Sequence, residues 1–279
     1  MGLNRIIRRK ESNVVFYITG DTHGDFRKLG KRHAPATYGD YVIICGDMGL
    51  LWDKDKTLDY NLKWLSNVKY TLLWVQGNHE NYDMIEEYPV TTWHGGKVRQ
   101  IIEDKVILLE RGQVFDIDGK TFFTFGGASS HDISDGILDP QSFESEAEYK
   151  TELKLWKKTK TYFRIKGESW WEQELPTDEE MQEGLINLET HKNCVDYIIT
   201  HCCSSECEEM LGIKNHDKLT DYFNYIEKFV DFKQWYFGHY HEDITCSDDK
   251  HILCYHNFYQ LEEKEKDLSQ DNDLDELER

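Results

Sequence analysis

The sequence predicts an α/β protein whose main strands run parallel, and three observations lead to this prediction. Five short apolar runs, "VVFYI", "YVII", "YTLLWV", "CVDYII" and "KQWYF", are rich in β-branched and aromatic residues and too short for typical helices. The runs are continuous rather than alternating, which is typical of strands covered on both faces. Helix-like stretches lie between them, and the succession of strand, helix and strand indicates a layered fold with parallel pairing.

Two of the stretches between these runs have apolar residues at helical spacing. Residues 55–68 begin with Asp55, a residue type that often caps helices, and residues 216–230 repeat the apolar pattern. Residues 96–127 instead predict consecutive strands, and "DIDGKTFF" is a hairpin signal within them. The fold therefore contains either one mixed sheet or two sheets.

The rest of the chain predicts one domain, residues 1–260, with an insertion. Residues 139–190 are charged and helix-prone, so we expect a helical insertion or lid there, with a helix that starts at Thr177 or Asp178. Residues 261–279 are mostly charged and amide side chains. Because this tail has too few apolar residues to pack, we expect it to be disordered or a frayed helix.

Charge and cysteine content narrow the class of partner and the compartment. The 279 residues include 53 acidic and 33 basic side chains, a formal net charge of −20. Such a chain binds polyphosphate backbones poorly, which disfavours a nuclease or another nucleic-acid partner. Seven cysteines without a disulfide-framework pattern indicate free thiols in a reducing cytoplasm. No run is long enough to span a membrane, so we expect no membrane association.

Each of the five apolar runs is followed by side chains that can bind a metal ion. Ligand sites in parallel sheets lie beyond the carboxyl ends of the strands, so one edge would collect these side chains. Any one of these motifs alone is more often a turn or surface polarity, but five in order are not. The side chains concerned are Asp21, His23, Asp47, Asn78, His79, His201, His239 and His241.

A glycine precedes the polar residues in four of the five motifs, at Gly20, Gly46, Gly77 and Gly238. A residue without a Cβ allows a sharp turn and a close approach of the backbone to a ligand. Glycines after strands are also ordinary turn residues, so each one alone carries little weight.

The motifs "GDTH", "GD", "GNHE", "TH" and "GHYH" together resemble the five blocks of the calcineurin-like metallophosphoesterases. The resemblance runs from Asp21 to His241 and no block is missing. It implies a four-layer α/β/β/α sandwich of two mixed sheets, the metallo-dependent phosphatase type of fold. It also implies a site for two metal ions on the edge where the strands end.

Carried over residue by residue, the resemblance implies two sets of ligands that share Asp47 as a bridge. It implies that one ion is held by Asp21, His23, Asp47 and His241, and the other by Asp47, Asn78, His201 and His239. His79 is implied to lie near the leaving group, where it would act as the general acid.

The implied ligands predict the metal and the reaction. Oxygen and imidazole donors without thiolate suit manganese, which we favour, with iron, zinc and nickel as alternatives. Two divalent ions carry four positive charges, and the carboxylates of Asp21 and Asp47 carry two negative charges. The site is therefore positive enough to attract a phosphate ester even in this acidic protein. We therefore expect a bridging hydroxide to hydrolyse a phosphomonoester or phosphodiester of a small phosphorylated substrate.

One departure from the resemblance bears on the alternatives. Protein Ser/Thr phosphatases of this superfamily carry an Asp and an Arg where this chain has Leu50 and Leu51. The loss removes an arginine that grips phosphate and a carboxylate that would orient His79, so a phosphoprotein phosphatase is disfavoured. Asp53 is a possible substitute for that carboxylate, although a surface role is the simpler interpretation. The rival class is an inactive or weakly active scaffold, against which the intact ligand set argues.

Residues outside the five motifs supply candidates for substrate contact. His131 in a glycine-rich loop, Trp170 in "SWW" and Arg164 are the substrate-binding candidates, each with surface or packing roles as the simpler alternative. Arg99 and Arg111 are further candidates for phosphate contact, with salt bridges as the alternative. The oligomeric state stays open.

Overall fold

A computed structural model describes residues 14–261 of the chain. The strands of these residues are β1 (Phe16–Thr19), β2 (Tyr41–Ile44), β3 (Thr71–Trp74), β4 (Val90–Trp93), β5 (Gly96–Ile102), β6 (Val106–Leu109), β7 (Gln113–Ile117), β8 (Lys120–Phe125), β9 (Gly136–Leu138), β10 (Phe163–Ile165), β11 (Tyr197–Thr200), β12 (Gln234–Phe237), β13 (Ile244–Thr245), β14 (His251–Leu253) and β15 (Tyr259–Gln260). Their α-helices are α1 (Lys56–Leu65), α2 (Tyr82–Glu86), α3 (Glu146–Thr159), α4 (Asp178–Thr190), α5 (Ser205–Met210) and α6 (Lys218–Phe229). The expected tail, apart from Leu261, lies outside the described residues.

The strands form two mixed sheets, which confirms what the resemblance implies and decides between the one mixed sheet and the two sheets that the sequence pattern left open. The first sheet has the order β15-β1-β2-β3-β6-β5-β4, with a parallel centre from β1 to β6 and antiparallel edges. The second has the order β13-β14-β12-β11-β8-β7, with β14, β12, β11 and β8 parallel. The five predicted runs become β1, β2 and β3 of the first sheet and β11 and β12 of the second.

Three hydrophobic cores show how the sheets and helices are layered. One core lies between the two sheets and includes Ile43 of β2 and Ile199 of β11. A second core packs α1 and α2 on the outer face of the first sheet, and Ile44 belongs to it. A third packs α4, α5 and α6 on the outer face of the second sheet, around Phe223. Because successive strand residues point to opposite faces, these strands must be apolar throughout, which explains their continuous apolar sequence.

The predicted boundaries follow from side-chain caps. Asp55 caps α1 by accepting hydrogen bonds from the next turn, as the sequence predicts. Thr177 caps α4 in a reciprocal capping box with Glu180. The predicted hairpin joins β7 and β8 through Asp118 and Gly119, whose φ values of 49° and 71° fit a two-residue turn.

The segment that joins β8 to α4, residues 126–177, differs from the expected helical insertion over 139–190. We call it the connecting segment. It contains a separate two-stranded parallel sheet of β9 and β10, together with α3, none of whose residues is buried. Helix α4, at the end of the expected insertion, packs on the second sheet, and Gly184 allows it to approach the backbone of Gly112 closely. Within the described residues, no helix has the length and apolar character needed to cross a membrane.

Candidate metal centre

The glycines before the polar residues allow the two sheets to bring their ligands together. A Cβ added at Gly77 would lie 2.0 Å from Oδ1 of Asp47, and one at Gly46 would lie 2.1 Å from Nδ1 of His201. Any side chain at these positions would therefore displace a predicted ligand. The space is needed at both positions because the side chain of another strand end occupies it.

Four of the predicted ligands adopt the left-handed backbone conformation. The φ values of His23, Asp47, His239 and His241 are 45°, 48°, 72° and 55°. This region is unfavourable for residues with a Cβ and is found where the surrounding structure imposes it, often at functional sites.

The first group of donors consists of Asp21, His23 and His241. The Nε2 atoms of His23 and His241 lie 2.8 Å apart, and Oδ2 of Asp21 lies 3.6 Å and 3.1 Å from them. Oδ2 of Asp21 is buried and has no hydrogen-bond partner among the described residues. Three donor atoms that converge in this way, one of them an unpartnered carboxylate oxygen, fit a divalent cation.

The second group is centred on the fully buried His201. Its Nδ1 lies 2.7 Å from the carbonyl oxygen of Cys45. Because a carbonyl oxygen can only accept a hydrogen bond, Nδ1 carries the proton of the neutral ring, and Nε2 is left unprotonated with a lone pair that can bind a metal ion. That Nε2 lies 3.2 Å from Oδ1 of Asn78 and 3.4 Å from Oδ1 of Asp47. The ring of His239 lies beside that of His201, at 4.9 Å between centroids. These atoms fit a second cation next to the first group.

Electrostatics favours a cation at this edge of the sheets. Burial alone would raise the pKa of Asp21, but the neighbouring imidazoles of His23 and His241 hold the pKa well below its usual range. Burial would lower the pKa of His201, but the charges of Asp47 and Asp21 raise it to about 10. The cluster therefore attracts positive charge.

Glu80 supports the loop that carries Asp47. Its buried carboxylate accepts hydrogen bonds from the backbone N–H groups of Met48, at 2.8 Å, and Gly49, at 3.3 Å. Burial raises the pKa of Glu80, and the negative charge of Asp47 raises it further. The side chain thus fixes the backbone beside a predicted ligand.

His79 lies beside the donor groups. Its backbone N–H donates to Oδ1 of Asp47 at 2.7 Å, and its ring lies 5.2 Å from that of His23. Burial lowers the pKa of His79; the charge of Asp47 raises it, and that of Arg164 lowers it. Asp53 is exposed, so the structure favours its surface interpretation.

Of the three candidate arginines, only Arg164 reaches the site. Its Nη2 lies 3.4 Å from Nε2 of His79. Arg99 forms an ion pair with Glu110 and donates to backbone carbonyls. Arg111 is buried and donates to Gly126 and to the carbonyls of the connecting segment, so its role is structural.

The other two substrate-binding candidates differ in position. The ring of His131 lies 4.4 Å from that of His239, and its Nδ1 lies 2.9 Å from the side chain of Asn215. Trp170 is half-buried and forms backbone hydrogen bonds with Ile165 and Gly167 of its own loop. Substrate contact by His131, Trp170 and Arg164 stays a prediction.

Two residues that the sequence did not single out support Asn78. Nδ2 of Asn78 lies 3.4 Å from Oγ of Ser130, which donates to the buried carboxylate of Glu174 at 2.6 Å. The backbone N–H of Ser130 donates to the same carboxylate at 3.0 Å. The only sequence signal for these two residues was the position of Ser130 in "GGASSHD". Glu174 lies 44 residues from Ser130, and its carboxylate resembles many others in this acidic chain.

The fold and the two donor groups define a metal-binding α/β sandwich with its site on the shared strand edge. The chain belongs to the calcineurin-like phosphoesterases, whose family model matches residues 14–243. It is therefore a metallophosphoesterase by family, and this family generally depends on two metal ions. Among solved structures, the phosphopantetheinyl hydrolase from Mycobacterium tuberculosis is similar to 88% of this chain and 95% of its own, with 14% identity and a TM-score of 0.40. No curated protein matches the chain.

Proposed function

We propose that this protein hydrolyses a phosphomonoester or phosphodiester at a centre of two divalent metal ions. The observation that supports the proposal is the convergence of donor atoms from both sheets. The Nε2 atoms of His23 and His241 and an unpartnered oxygen of Asp21 converge on one point. His201, Asn78 and Asp47 converge on a second.

The proposed ligands are those that the resemblance implies. One ion is held by Asp21, His23, Asp47 and His241, and the other by Asp47, Asn78, His201 and His239. When bound, two such ions lower the pKa of coordinated water and neutralise phosphoryl oxygens. All seven side chains offer oxygen or imidazole nitrogen, which supports manganese as the metal and leaves iron, zinc and nickel as alternatives.

His79 is the proposed general acid for the leaving group. Its backbone is fixed by the hydrogen bond to Asp47, and its ring faces the donor groups from the side of the connecting segment. An imidazole in this position can transfer a proton to an oxygen that departs from phosphorus. His131, Trp170 and Arg164 are the proposed substrate contacts.

Two alternatives remain distinct from this proposal. The positions at which protein Ser/Thr phosphatases carry Asp and Arg are Leu50 and Leu51 here, and both leucines are buried in the core under α1 and α2. This argues against a phosphoprotein phosphatase. A scaffold without activity is opposed by the complete set of donors. The proposed substrate is a small phosphorylated molecule in the cytoplasm, and the net charge of −20 disfavours nucleic acid.

The test compares a phosphodiester and a phosphomonoester after metal removal and restoration. The protein is treated with a chelator, given Mn²⁺, and assayed on bis(p-nitrophenyl) phosphate and p-nitrophenyl phosphate. Turnover that returns with Mn²⁺ and falls roughly a thousandfold or more in Asp47→Asn supports the proposal, because Asp47 serves both ions. His79→Ala should lower turnover about 10²- to 10⁴-fold while metal binding is retained. Absence of metal binding would contradict the proposal, and bound metal without turnover would favour the scaffold.

A further inference from the structure

The connecting segment places a preassembled ion pair beside His79. Nε of Arg164 donates to Oδ1 of Asp132 at 2.9 Å, and Nη2 donates to Oδ2 at 2.5 Å. The side chain of Arg164 is only 17% exposed. A bidentate pair of this kind fixes the plane of the guanidinium, so the direction of its remaining N–H groups is set before any ligand arrives.

One of the remaining N–H groups of Arg164 faces the site, and another faces the backbone of its own segment. The second hydrogen of Nη2 is directed at Nε2 of His79, 3.4 Å away, and Nη1 lies 3.5 Å from the carbonyl oxygen of Ser169. A guanidinium cannot accept a hydrogen bond, so Nε2 of His79 must be the acceptor in this contact. The contact is long and weak, which makes it easy to replace.

An incoming oxygen would replace this contact with better ones. An oxygen atom within reach of both Nη2 of Arg164 and Nε2 of His79 can accept from the guanidinium directly. It can also accept from His79 in the protonated form that the proposed general-acid role requires, and in that form the two nitrogens are both donors and cannot bond to each other. The oxygen that leaves phosphorus gains negative charge as its bond breaks, and a fixed guanidinium stabilises that charge without reorganising.

We propose that Arg164 donates to the leaving oxygen of the substrate beside His79, and that Asp132 is the positioning residue that holds Arg164 there. The inference rests on the proposed phosphoesterase function. It assigns to the connecting segment a cationic group that the loop after β2 lacks, because Leu50 and Leu51 there are buried in the core. It also implies that substrates with poor leaving groups depend most on Arg164.

The test uses Mn²⁺-loaded protein and two monoesters that differ in their leaving groups. Phenyl phosphate has a poor leaving group, and p-nitrophenyl phosphate has a good one. Arg164→Ala should lower kcat/KM on phenyl phosphate about 10- to 100-fold, as expected for one lost charged hydrogen bond, and several-fold less on p-nitrophenyl phosphate. Equal losses on the two esters, or no loss, would overturn the assignment to the leaving oxygen.

Asp132 is tested by a double-mutant comparison. Asp132→Asn should lose less activity than Arg164→Ala, and the double variant should match Arg164→Ala alone, because Asp132 acts only through Arg164. Additive losses would overturn the positioning role. Lys150→Ala, on the exposed face of α3 in the same segment, is the matched control and should behave as the wild type.

Two measurements do not depend on turnover. Manganese bound per chain should be unchanged in Arg164→Ala, since Arg164 does not contact the donor groups. Calorimetric titration with inorganic phosphate should show about tenfold weaker binding to that variant, because one phosphate oxygen occupies the leaving position. Unchanged phosphate affinity would overturn the contact. If the wild type binds manganese and phosphate but hydrolyses neither ester, the phosphoesterase proposal fails, while the phosphate titration still decides the contact.

Discussion

The strand-end loops and the connecting segment contribute to the same site in different ways. The loops after β1, β2, β3, β11 and β12 carry all seven proposed ligands, and their positions follow from the backbone of two sheets. The connecting segment carries no proposed ligand, but Arg164 and Glu174 reach the site through side-chain contacts. The proposed metal centre thus depends on backbone space at the strand ends, whereas its surroundings depend on individual hydrogen bonds.

The largest expected effect comes from filling the backbone space at a strand end. In Gly77→Ala, the new methyl group would lie 2.0 Å from Oδ1 of Asp47, so the shared ligand must move. We expect metal-dependent turnover to fall roughly a thousandfold or more, with a matching loss of bound manganese measured by elemental analysis.

Gly167→Ala in the connecting segment is the matched control. A Cβ at Gly167 meets no atom within 4 Å, although its φ of 75° makes the substitution mildly unfavourable. We expect about 1 kcal/mol of lost stability and wild-type metal content. Normal manganese content in Gly77→Ala would contradict the role of backbone space.

The difference between the two regions also explains what could be predicted from sequence. Asp21, His23, Asp47 and Asn78 stand directly after apolar runs, and parallel strands bring such positions to one edge whatever the loops do. The layered fold is predictable for the same reason. Nothing local in the sequence relates Glu174 to Asn78, because their connection passes through Ser130 and depends on how the connecting segment folds back.

The bounds of the insertion show a second limit. Helix α4 is charged on its exposed side, so its sequence resembles that of α3, yet Leu188 of α4 is buried on the second sheet while α3 buries no residue. Composition alone does not separate a core helix with a narrow apolar face from an exposed one. The small sheet of β9 and β10 was also unpredictable, because each strand has only three residues and its partner is distant in sequence.

An intermediate effect is expected from the contacts behind Asn78. In Glu174→Gln, the amide of the new side chain would donate to Oγ of Ser130, so the Ser130 hydroxyl proton would turn toward Nδ2 of Asn78, which is also a donor. We expect about 10-fold weaker metal affinity, at the lower end of effects for residues behind a ligand, measured by competition with a fluorescent chelator.

Ser130→Ala is the second arm of this experiment, because it removes the acceptor for Nδ2 of Asn78 directly. It should weaken metal affinity by a similar factor. Glu172→Gln, an exposed position in the same turn as Glu174, should leave metal affinity unchanged. Wild-type metal affinity in both Glu174→Gln and Ser130→Ala would show that the backbone alone orients Asn78.

The smallest effect on the site is expected where the connecting segment is anchored at a distance from the donors. Trp171 is 3% exposed, its Nε1 donates to Oδ2 of Asp83 at 2.9 Å, and its ring packs edge-on against Trp52. Trp171→Phe removes the hydrogen bond and part of the packing. We expect a loss of about 1 to 3 kcal/mol in unfolding free energy, measured by urea denaturation, with metal affinity changed less than about twofold.

Asp83→Asn sharpens this last prediction, because asparagine keeps a neutral acceptor for the indole N–H and should lose less stability than Trp171→Phe. Hydrogen exchange should become faster at the backbone amides of Trp170 and Glu174 in Trp171→Phe, since both amides donate within the anchored turns. If metal affinity instead falls as far as in Glu174→Gln, the packing of the connecting segment as a whole supports the ligands. The two regions would then form one cooperative unit, and the distinction between backbone space and individual hydrogen bonds would not hold.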